Sequence, residues 1–203
     1  MNVRIFTSIA VLSTLALSAC GSDSPPAAGP ASVSAATPAA AAAFNEADVQ
    51  FAQGMIPHHQ QAVQMADLAL DSARGVGTEV TELATRIKAA QDPEIILMSD
   101  WLTTWGQPAP TKTTGDDMAM GGDDMATGDG MMSAAAMKSL AAVKGPEFDK
   151  LWLEMMIAHH EGAVKMAKAE KLNGSSKDAM GLADKIITAQ MAEIAEMTTA
   201  LSG

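Results

Sequence analysis

Cysteine and tyrosine are almost missing from this chain of 203 residues. It contains one cysteine, Cys20, and no tyrosine. A single cysteine excludes a disulfide within the chain and leaves the rest of the protein without a thiolate metal ligand. Basic residues are also scarce, with 13 Lys and Arg against 24 Asp and Glu. This acidic balance argues against nucleic acid and against an anionic lipid surface as partners.

The first 19 residues have the pattern of a secretory signal peptide. Arg4 precedes an apolar run from Ile5 to Leu17, which is too short and too early in the chain for a membrane-spanning helix. The ending Leu17-Ser-Ala-Cys20 resembles a bacterial lipobox, in which the cysteine is lipidated and becomes the mature N-terminus. An ordinary cleaved signal peptide that happens to contain a cysteine is the alternative. We predict an exported cell-envelope lipoprotein on the periplasmic or other extracytoplasmic face, attached to the membrane only through lipid on Cys20.

The remainder divides into a linker and one domain. Residues 20–43 are rich in Ala, Pro, Ser and Gly and show no periodic apolar face, which is typical of a linker. Residues 44–203 are long enough for a domain with a core. Apolar residues recur there at steps of three and four, and almost no segment alternates as a strand would. Helices are predicted to start near Asn45, Thr78, Pro146 and Ser175, and to end near Gly75, Gly106, Leu172 and Leu201. The sequence therefore predicts an all-α four-helix bundle made of two repeated helical hairpins.

All four histidines lie in two copies of one pattern. His58 and His59 match His159 and His160 without a gap (159 − 58 = 101). The methionines that flank the doublets match at the same offset, Met55 with Met156 and Met65 with Met166. In the second helix of each hairpin the offset is 99, and it pairs Gln91, Glu94 and Met98 with Gln190, Glu193 and Met197. Folding each hairpin about its turn brings Gln91 and Glu94 near the level of His58 and Met98 near Met55, and it places Gln190 beside His159.

Imidazole nitrogens and thioether sulfurs on one surface suggest a soft or borderline metal, copper first. Met55, His58 and Met65 share one stripe of a helix, whereas His59 lies about 100° around the axis and must point elsewhere. A lone buried histidine is usually a core residue, but two matched doublets flanked by methionines favour metal binding. The predicted ligands are Met55, His58, His59, Met65, Met98, Met156, His159, His160, Met166 and Met197, with Gln91, Glu94, Gln190 and Glu193 as a second set. With an ordinary imidazole pKa of about 6.5, Cu(II) binding would weaken between roughly pH 7 and pH 5.

A loop at about residues 107–133 separates the hairpins. Between Asp116 and Met132 it is rich in Gly, Asp and Met and lacks branched apolar residues, so we predict disorder in the absence of a ligand. Its methionines, which complete the second set of candidate ligands, are Met118, Met120, Met125, Met131 and Met132. They would form a thioether arm for Cu(I), while the carboxylates could receive Cu(II). A flexible spacer is the alternative.

The motif resembles domain-of-unknown-function family 305 over residues 44–203. The first copy reads Met55-Ile-Pro-His-His-Gln60 and continues Ala62-Val-Gln-Met-Ala66, then Gln91-x-x-Glu94-Ile-x-x-Met98 and Trp101-Leu102; residues 156–167 hold the second copy. The resemblance implies a ferritin-like helical bundle in exported bacterial proteins, some of them linked to copper binding and resistance. The chain departs from the family at Gln61, where glycine is usual, as at Gly162. It also has Thr199-Ala-Leu201 in place of the Trp-Leu ending.

These observations predict a copper-binding protein, for Cu(I) or Cu(II), that serves sequestration, tolerance or delivery rather than catalysis. Its candidate partners are the metal ion, a copper-transfer protein and a second copy of the chain. The chain lacks the Glu-x-x-His pairs of a di-iron oxidase, and His160-Glu161 lacks the second histidine of a zinc peptidase. A metal-dependent redox enzyme, a bundle for another divalent metal and a purely structural or partner-binding bundle remain as alternatives.

Overall fold

The computed structural model describes residues 43–110 and 129–202, all within one compact unit, Ala40–Gly203. The helices are α1 (Glu46–Ala69), α2 (Thr78–Thr104), α3 (Ala134–Ala142), α4 (Gly145–Asn173) and α5 (Lys177–Ser202), with a 3₁₀ turn at Ser72–Arg74. The predicted all-α class is confirmed, and α3 is a fifth helix that the periodicity did not predict. None of the helices described is long and apolar enough to cross a bilayer. Cys20 and the linker lie outside the described residues.

The helix starts are held by carboxylates, partly across the two hairpins. Asn45 and Asp48 form the predicted capping box of α1. Asp48 also accepts hydrogen bonds from the backbone N–H groups of Ser175 and Ser176, in the turn before α5. Asp149 of α4 likewise accepts from the N–H of Gly77, 3.0 Å away, just before α2. The predicted helix start near Thr78 is confirmed, since Thr78 is the first residue of α2, and the carboxylate from the other hairpin satisfies the turn before it.

Two apolar clusters form the core. One, which we call the Phe51 cluster, contains Val49, Phe51, Ala52, Met55, Ile56, Met98, Leu102, Ala163, Ala167, Ala179, Leu182, Ala183 and Ile186. The other, the Trp152 cluster, includes Met65, Leu83, Ile87, Met132, Leu140, Phe148, Trp152, Met156 and Met197. In the Phe51 cluster the start of α1 packs with the end of α4. In the Trp152 cluster the end of α1 packs with the start of α4. Helices α1 and α4 are therefore antiparallel, and the indole N–H of Trp152 bonds the carbonyl oxygen of Met65 across them at 2.9 Å.

The connection between the hairpins must cover the length of the bundle. Helix α2 ends beside the Phe51 cluster at Leu102, while α4 begins beside the Trp152 cluster at Phe148. One long crossover of this kind is the topology of ferritin-like bundles. Helix α3 belongs to the crossover, and its Leu140 is buried in the Trp152 cluster.

Residues 129–133, which we call the strap, cross the groove between α1 and α4. The side chain of Gln61 accepts from the N–H of Met132 at 2.7 Å and donates to its carbonyl oxygen at 2.9 Å. Met132 is 1% exposed. The predicted disorder is therefore wrong for residues 129–132, because Gln61 satisfies the backbone of Met132 while the core takes up its side chain. Met118, Met120 and Met125 lie outside the described residues.

Candidate metal centre

A polar layer separates the two apolar clusters at mid-height of the bundle. Each helix of the two hairpins contributes two residues to it, namely His58 and His59, Gln91 and Glu94, His159 and His160, and Gln190 and Glu193. All four imidazoles are at most 1% exposed. Helical spacing positions these side chains, because residues three apart on α2 and α5 reach the level at which the adjacent histidines of α1 and α4 lie.

His58 and His159 face each other across the α1–α4 contact. Their ring centroids are 3.7 Å apart and the ring planes are tilted by 41°. Burial, followed by the neighbouring imidazole of His59, lowers the pKa of His58 to about 3. Burial and the facing His58 hold the pKa of His159 well below its ordinary value. Both rings are consequently neutral at physiological pH, which is the state in which imidazole binds a metal.

The second histidine of each doublet points to a carboxylate. His59 Nε2 lies 2.8 Å from Glu94 Oε2, and His160 Nε2 lies 2.8 Å from Glu193 Oε2. An ionised carboxylate only accepts hydrogen bonds, so Nε2 carries the proton in each ring. In a neutral ring the Nδ1 lone pair is then free to bind a ligand. Carboxylates that hold imidazole rings in this way orient metal-binding histidines and raise their basicity.

The layer contains an unusual concentration of buried polar atoms without a hydrogen-bond partner among the described residues. They are five ring nitrogens, the Nδ1 atoms of His58, His59, His159 and His160 and the Nε2 of His159, and two amide oxygens, those of Gln91 and Gln190. Buried polar atoms are normally paired, and each exception needs a physical explanation. Unpartnered nitrogens on imidazoles at one level fit a bound cation, so the donor set is compatible with copper.

The strap covers this layer on one side. The Nε2–H of His58 donates to the carbonyl oxygen of Asp129 at 3.0 Å, which directs the remaining lone pair to Nδ1. Gly130 has a φ of 79°, and a Cβ there would lie 2.6 Å from the carbonyl oxygen of Ala158. A side chain on Gly162 would collide with Asp129. The equivalent positions 61 and 162 therefore have different residues for a reason: the Gln61 side chain hydrogen-bonds the strap, whereas Gly162 leaves the space through which the strap runs.

The methionines lie in three different places. Met55 and Met98 are fully buried in the Phe51 cluster, directly on one side of the layer. Met65, Met156 and Met197 are buried in the Trp152 cluster. Met166 is only partly buried, and it lines a surface cleft together with Glu170. Met65, the residue equivalent to Met166 in the repeat, is fully buried. The two equivalent methionines therefore differ in their surroundings, because a cleft at Met166 replaces the closed packing around Met65.

Imidazoles and carboxylates alone do not complete a metal site. In the part of the chain that the structure describes, no three His, Cys, Asp or Glu side chains are grouped closely enough to hold one ion. An ion in the layer would thus take at most two such ligands and complete its shell with other donors. The thioethers of Met55 and Met156, each one helical turn before a histidine of the facing pair, are the nearest candidates in the sequence. Two nitrogens with thioether sulfur form a donor set that suits copper.

The sequence did not predict Asp129 and Gln61 as residues of this site. Asp129 acts through its backbone carbonyl oxygen, which no side-chain pattern reveals. Gln61 did give a signal, because it departs from the glycine found at Gly162. The carboxylate of Glu94 was predicted at the level of His58, and the structure assigns Glu94 to His59 and Glu193 to His160.

The crossover topology and the paired doublets define the class of protein, a ferritin-like bundle with two His-His motifs. The chain belongs to the family described as domain of unknown function DUF305, which matches residues 48–201. No curated protein sequence matches the chain.

Solved structures of this family superpose well on the protein. A DUF305 fragment from Deinococcus radiodurans is 29% identical, covers 78% of this chain and 97% of its own, and has a TM-score of 0.65. A DUF305 protein from Streptomyces coelicolor, described as secreted, is 32% identical, covers 77% and 91%, and also scores 0.65. CopM in its Cu(II)-bound form is 32% identical, covers 76% and 95%, and scores 0.63. CopM has Cu(I)-bound and silver-bound forms as well.

Proposed function

We propose that this protein is an exported, lipid-anchored copper-binding protein that sequesters copper or passes it to another protein. The buried layer of four imidazoles with unpartnered nitrogens carries the proposal. The Cu(I)-bound and Cu(II)-bound forms of CopM support it, because CopM has the same fold at about one-third identity. The secreted relative supports export, and the lipobox at Cys20 supports the anchor.

The layer is suited to holding copper and less suited to turning over a substrate. Its imidazoles are buried, so an ion would be shielded from water and from most reactants. Glu94 and Glu193 fix two of the rings, and the strap closes the side at His58. Delivery would require the strap to move, because it covers the groove in which His58 and His159 meet.

Anaerobic titration of the purified protein with Cu(I), Cu(II) and Zn(II), followed by dialysis and metal analysis, tests this function. The pair His58→Ala with His59→Ala, or His159→Ala with His160→Ala, should each remove about one tight copper equivalent because each doublet supplies half of the layer. Circular dichroism should show that the helices persist. The matched control is Gln60→Ala with Gln64→Ala, two polar residues of α1 outside the layer. Unchanged copper stoichiometry in the quadruple histidine variant would overturn the proposal.

A further inference from the structure

Each hairpin supplies a capping carboxylate to the turn of the other hairpin. Only one of these two carboxylates, that of Asp48, lies beside a second acid, Glu170. Asp48 and Asp149 are equivalent in the repeat (149 − 48 = 101), and each accepts backbone N–H groups from the turn of the other hairpin. The position equivalent to Glu170 in the first hairpin is Ala69 (170 − 69 = 101). The capping arrangement therefore works without a second carboxyl, and Glu170 is an addition that the fold does not require.

Glu170 is buried in an unfavourable setting. It is 2% exposed, and neither of its carboxyl oxygens accepts a hydrogen bond from a described N–H or O–H group. Burial, followed by a hydrogen bond to the carboxylate of Asp48 and by the charge of that residue, raises the pKa of Glu170 to about 8, so the two acids share a proton in the apo protein. Gly174 packs against both acids, and a Cβ on it would lie 2.8 Å from Asp48 Oδ1. An acid pair of this kind costs stability unless a proton or a cation neutralises it.

A cleft between the start of α1 and the end of α4 is lined in part by Glu170. We call it the Glu170 cleft; it has a volume of about 190 Å³ and is lined among others by Gln50, Met166, Glu170 and Asn173. This volume exceeds the roughly 30 Å³ that a water molecule occupies in the liquid. Met166, Glu170 and Asn173 follow one another at steps of four and three residues, so they share one face of α4. Met65 and Ala69, the equivalents of Met166 and Glu170, are closed into the core instead.

We propose that the Glu170 cleft is a second copper site, in which the Met166 thioether and the Glu170 carboxylate bind the ion. The inference rests on the proposed function for the identity of the metal. Thioether sulfur selects copper over hard cations, and the carboxylate supplies an anionic oxygen. Ten residues separate His160 from Glu170 on α4 (170 − 160), which is about 15 Å of helix. The site is therefore distinct from the histidine layer, and it borders a surface cleft.

The test is titration of the full chain and of Glu170→Ala, which reproduces the first hairpin at this position, with Cu(II) and with Cu(I). We expect Glu170→Ala to lose one copper equivalent while the tight equivalents of the histidine layer remain. Glu154→Ala is the matched control, because it removes an exposed acid from the same helix. Met166→Leu preserves the apolar volume and should also lose that equivalent, so it carries the test if Glu170→Ala fails to fold.

The outcomes separate this inference from the proposed function. Copper binding by Glu170→Ala and Met166→Leu identical to that of Glu154→Ala would overturn the inference, whereas loss of copper in the histidine variants alone would leave the proposed function standing. If the histidine variants keep all their copper and Glu170→Ala loses an equivalent, the Glu170 cleft stands and the function of the layer fails. If no variant loses copper, both are wrong.

Discussion

At the scale of single residues, the surroundings of each imidazole assign its role. The rings of His58 and His159 face each other at a tilt in the bundle centre, whereas His59 and His160 each bond a carboxylate from the neighbouring helix. Adjacent histidines on a helix diverge by about 100°, so a doublet can serve two directions at once. The arrangement repeats in both hairpins, which makes one half of the layer a natural control for the other.

Replacing Glu94 by Gln should weaken copper binding by about 10- to 100-fold, the range for loss of a carboxylate that orients a metal-binding histidine. The amide of glutamine has nearly the same shape but no charge. The hydrogen bond that keeps the proton of His59 on Nε2 is therefore weakened. Competition titration against a copper chelator measures the effect. Glu82→Gln, on the exposed face of the same helix, is the control. Equal affinities of the two variants would show that Glu94 does not orient a ligand.

Acid should compete with copper at a lower pH than an ordinary imidazole predicts. The pKa of His58 is lowered to about 3 and that of His159 lies well below the usual value, so neither ring takes up a proton between pH 7 and pH 5. Through these two rings we therefore expect no weakening of copper binding in that range, in contrast to the expectation from an ordinary imidazole pKa. In His59→Ala/His160→Ala, where only this pair remains, any residual Cu(II) affinity should be equal at pH 7 and pH 5. A tenfold loss per pH unit would contradict the assignment of His58 and His159 as neutral ligands.

At the scale of elements, the strap connects the crossover to the histidine layer. Gln61 satisfies both backbone groups of Met132, and Asp129 of the same segment accepts from His58. The position of the strap is thus coupled to the tautomer of one imidazole. Because Met132 is buried in the Trp152 cluster, movement of the strap also exposes apolar surface, which restrains it.

Gln61→Ala should destabilise the apo protein by about 1–3 kcal/mol, because it leaves two buried backbone groups unpaired. It should also accelerate the release of copper to a chelator, since the strap is then held less firmly over His58. Thermal unfolding and stopped-flow exchange measure the two effects. Gln64→Ala, on the exposed side of α1, should change neither quantity. Normal stability together with normal exchange in Gln61→Ala would show that the strap does not depend on this side chain.

At the scale of the whole molecule, the approximate symmetry of the hairpins is broken at a few positions. The strap passes over Gly162 but is bound by Gln61, and an acid at Glu170 stands where the first hairpin has Ala69. These differences give one closed layer and one open cleft within the same bundle. Buried groups of opposite type also shape the response of the fold to pH, because the pKa values of His58 and His159 are lowered and that of Glu170 is raised.

The free energy of unfolding of the apo protein should be largest at about pH 6.5. The lowered pKa of His58, from 6.5 to about 3, means that the unfolded chain binds the extra proton, so stability is lost as pH falls through that range. His159 acts in the same direction. The raised pKa of Glu170, from 4.5 to about 8, means that the folded chain holds the extra proton, so stability is lost as pH rises from 4.5 to 8. Above pH 6.5 only the Glu170 effect remains.

Chemical denaturation at pH 6.5 and pH 8 in Glu170→Ala and Glu154→Ala checks this assignment. The decline over this range cannot exceed about 1.4 kcal/mol per pH unit for one proton. It should be absent in Glu170→Ala and retained in Glu154→Ala. Parallel declines in both variants would place the responsible group elsewhere.

The sequence by itself determined the four long helices, the repeat and the set of candidate donors. Helical spacing is local and periodic, so the level at which Glu94 and Glu193 meet the histidines could be counted from the turn of each hairpin. Tertiary structure alone decided which imidazole faces another ring and which faces a carboxylate. It also decided that the strap is ordered and that Glu170 is buried beside Asp48. Desolvation and pairing depend on contacts between residues that are 71 or more than 120 positions apart, as for His58 with Asp129 and Asp48 with Ser176. No local pattern contains that information.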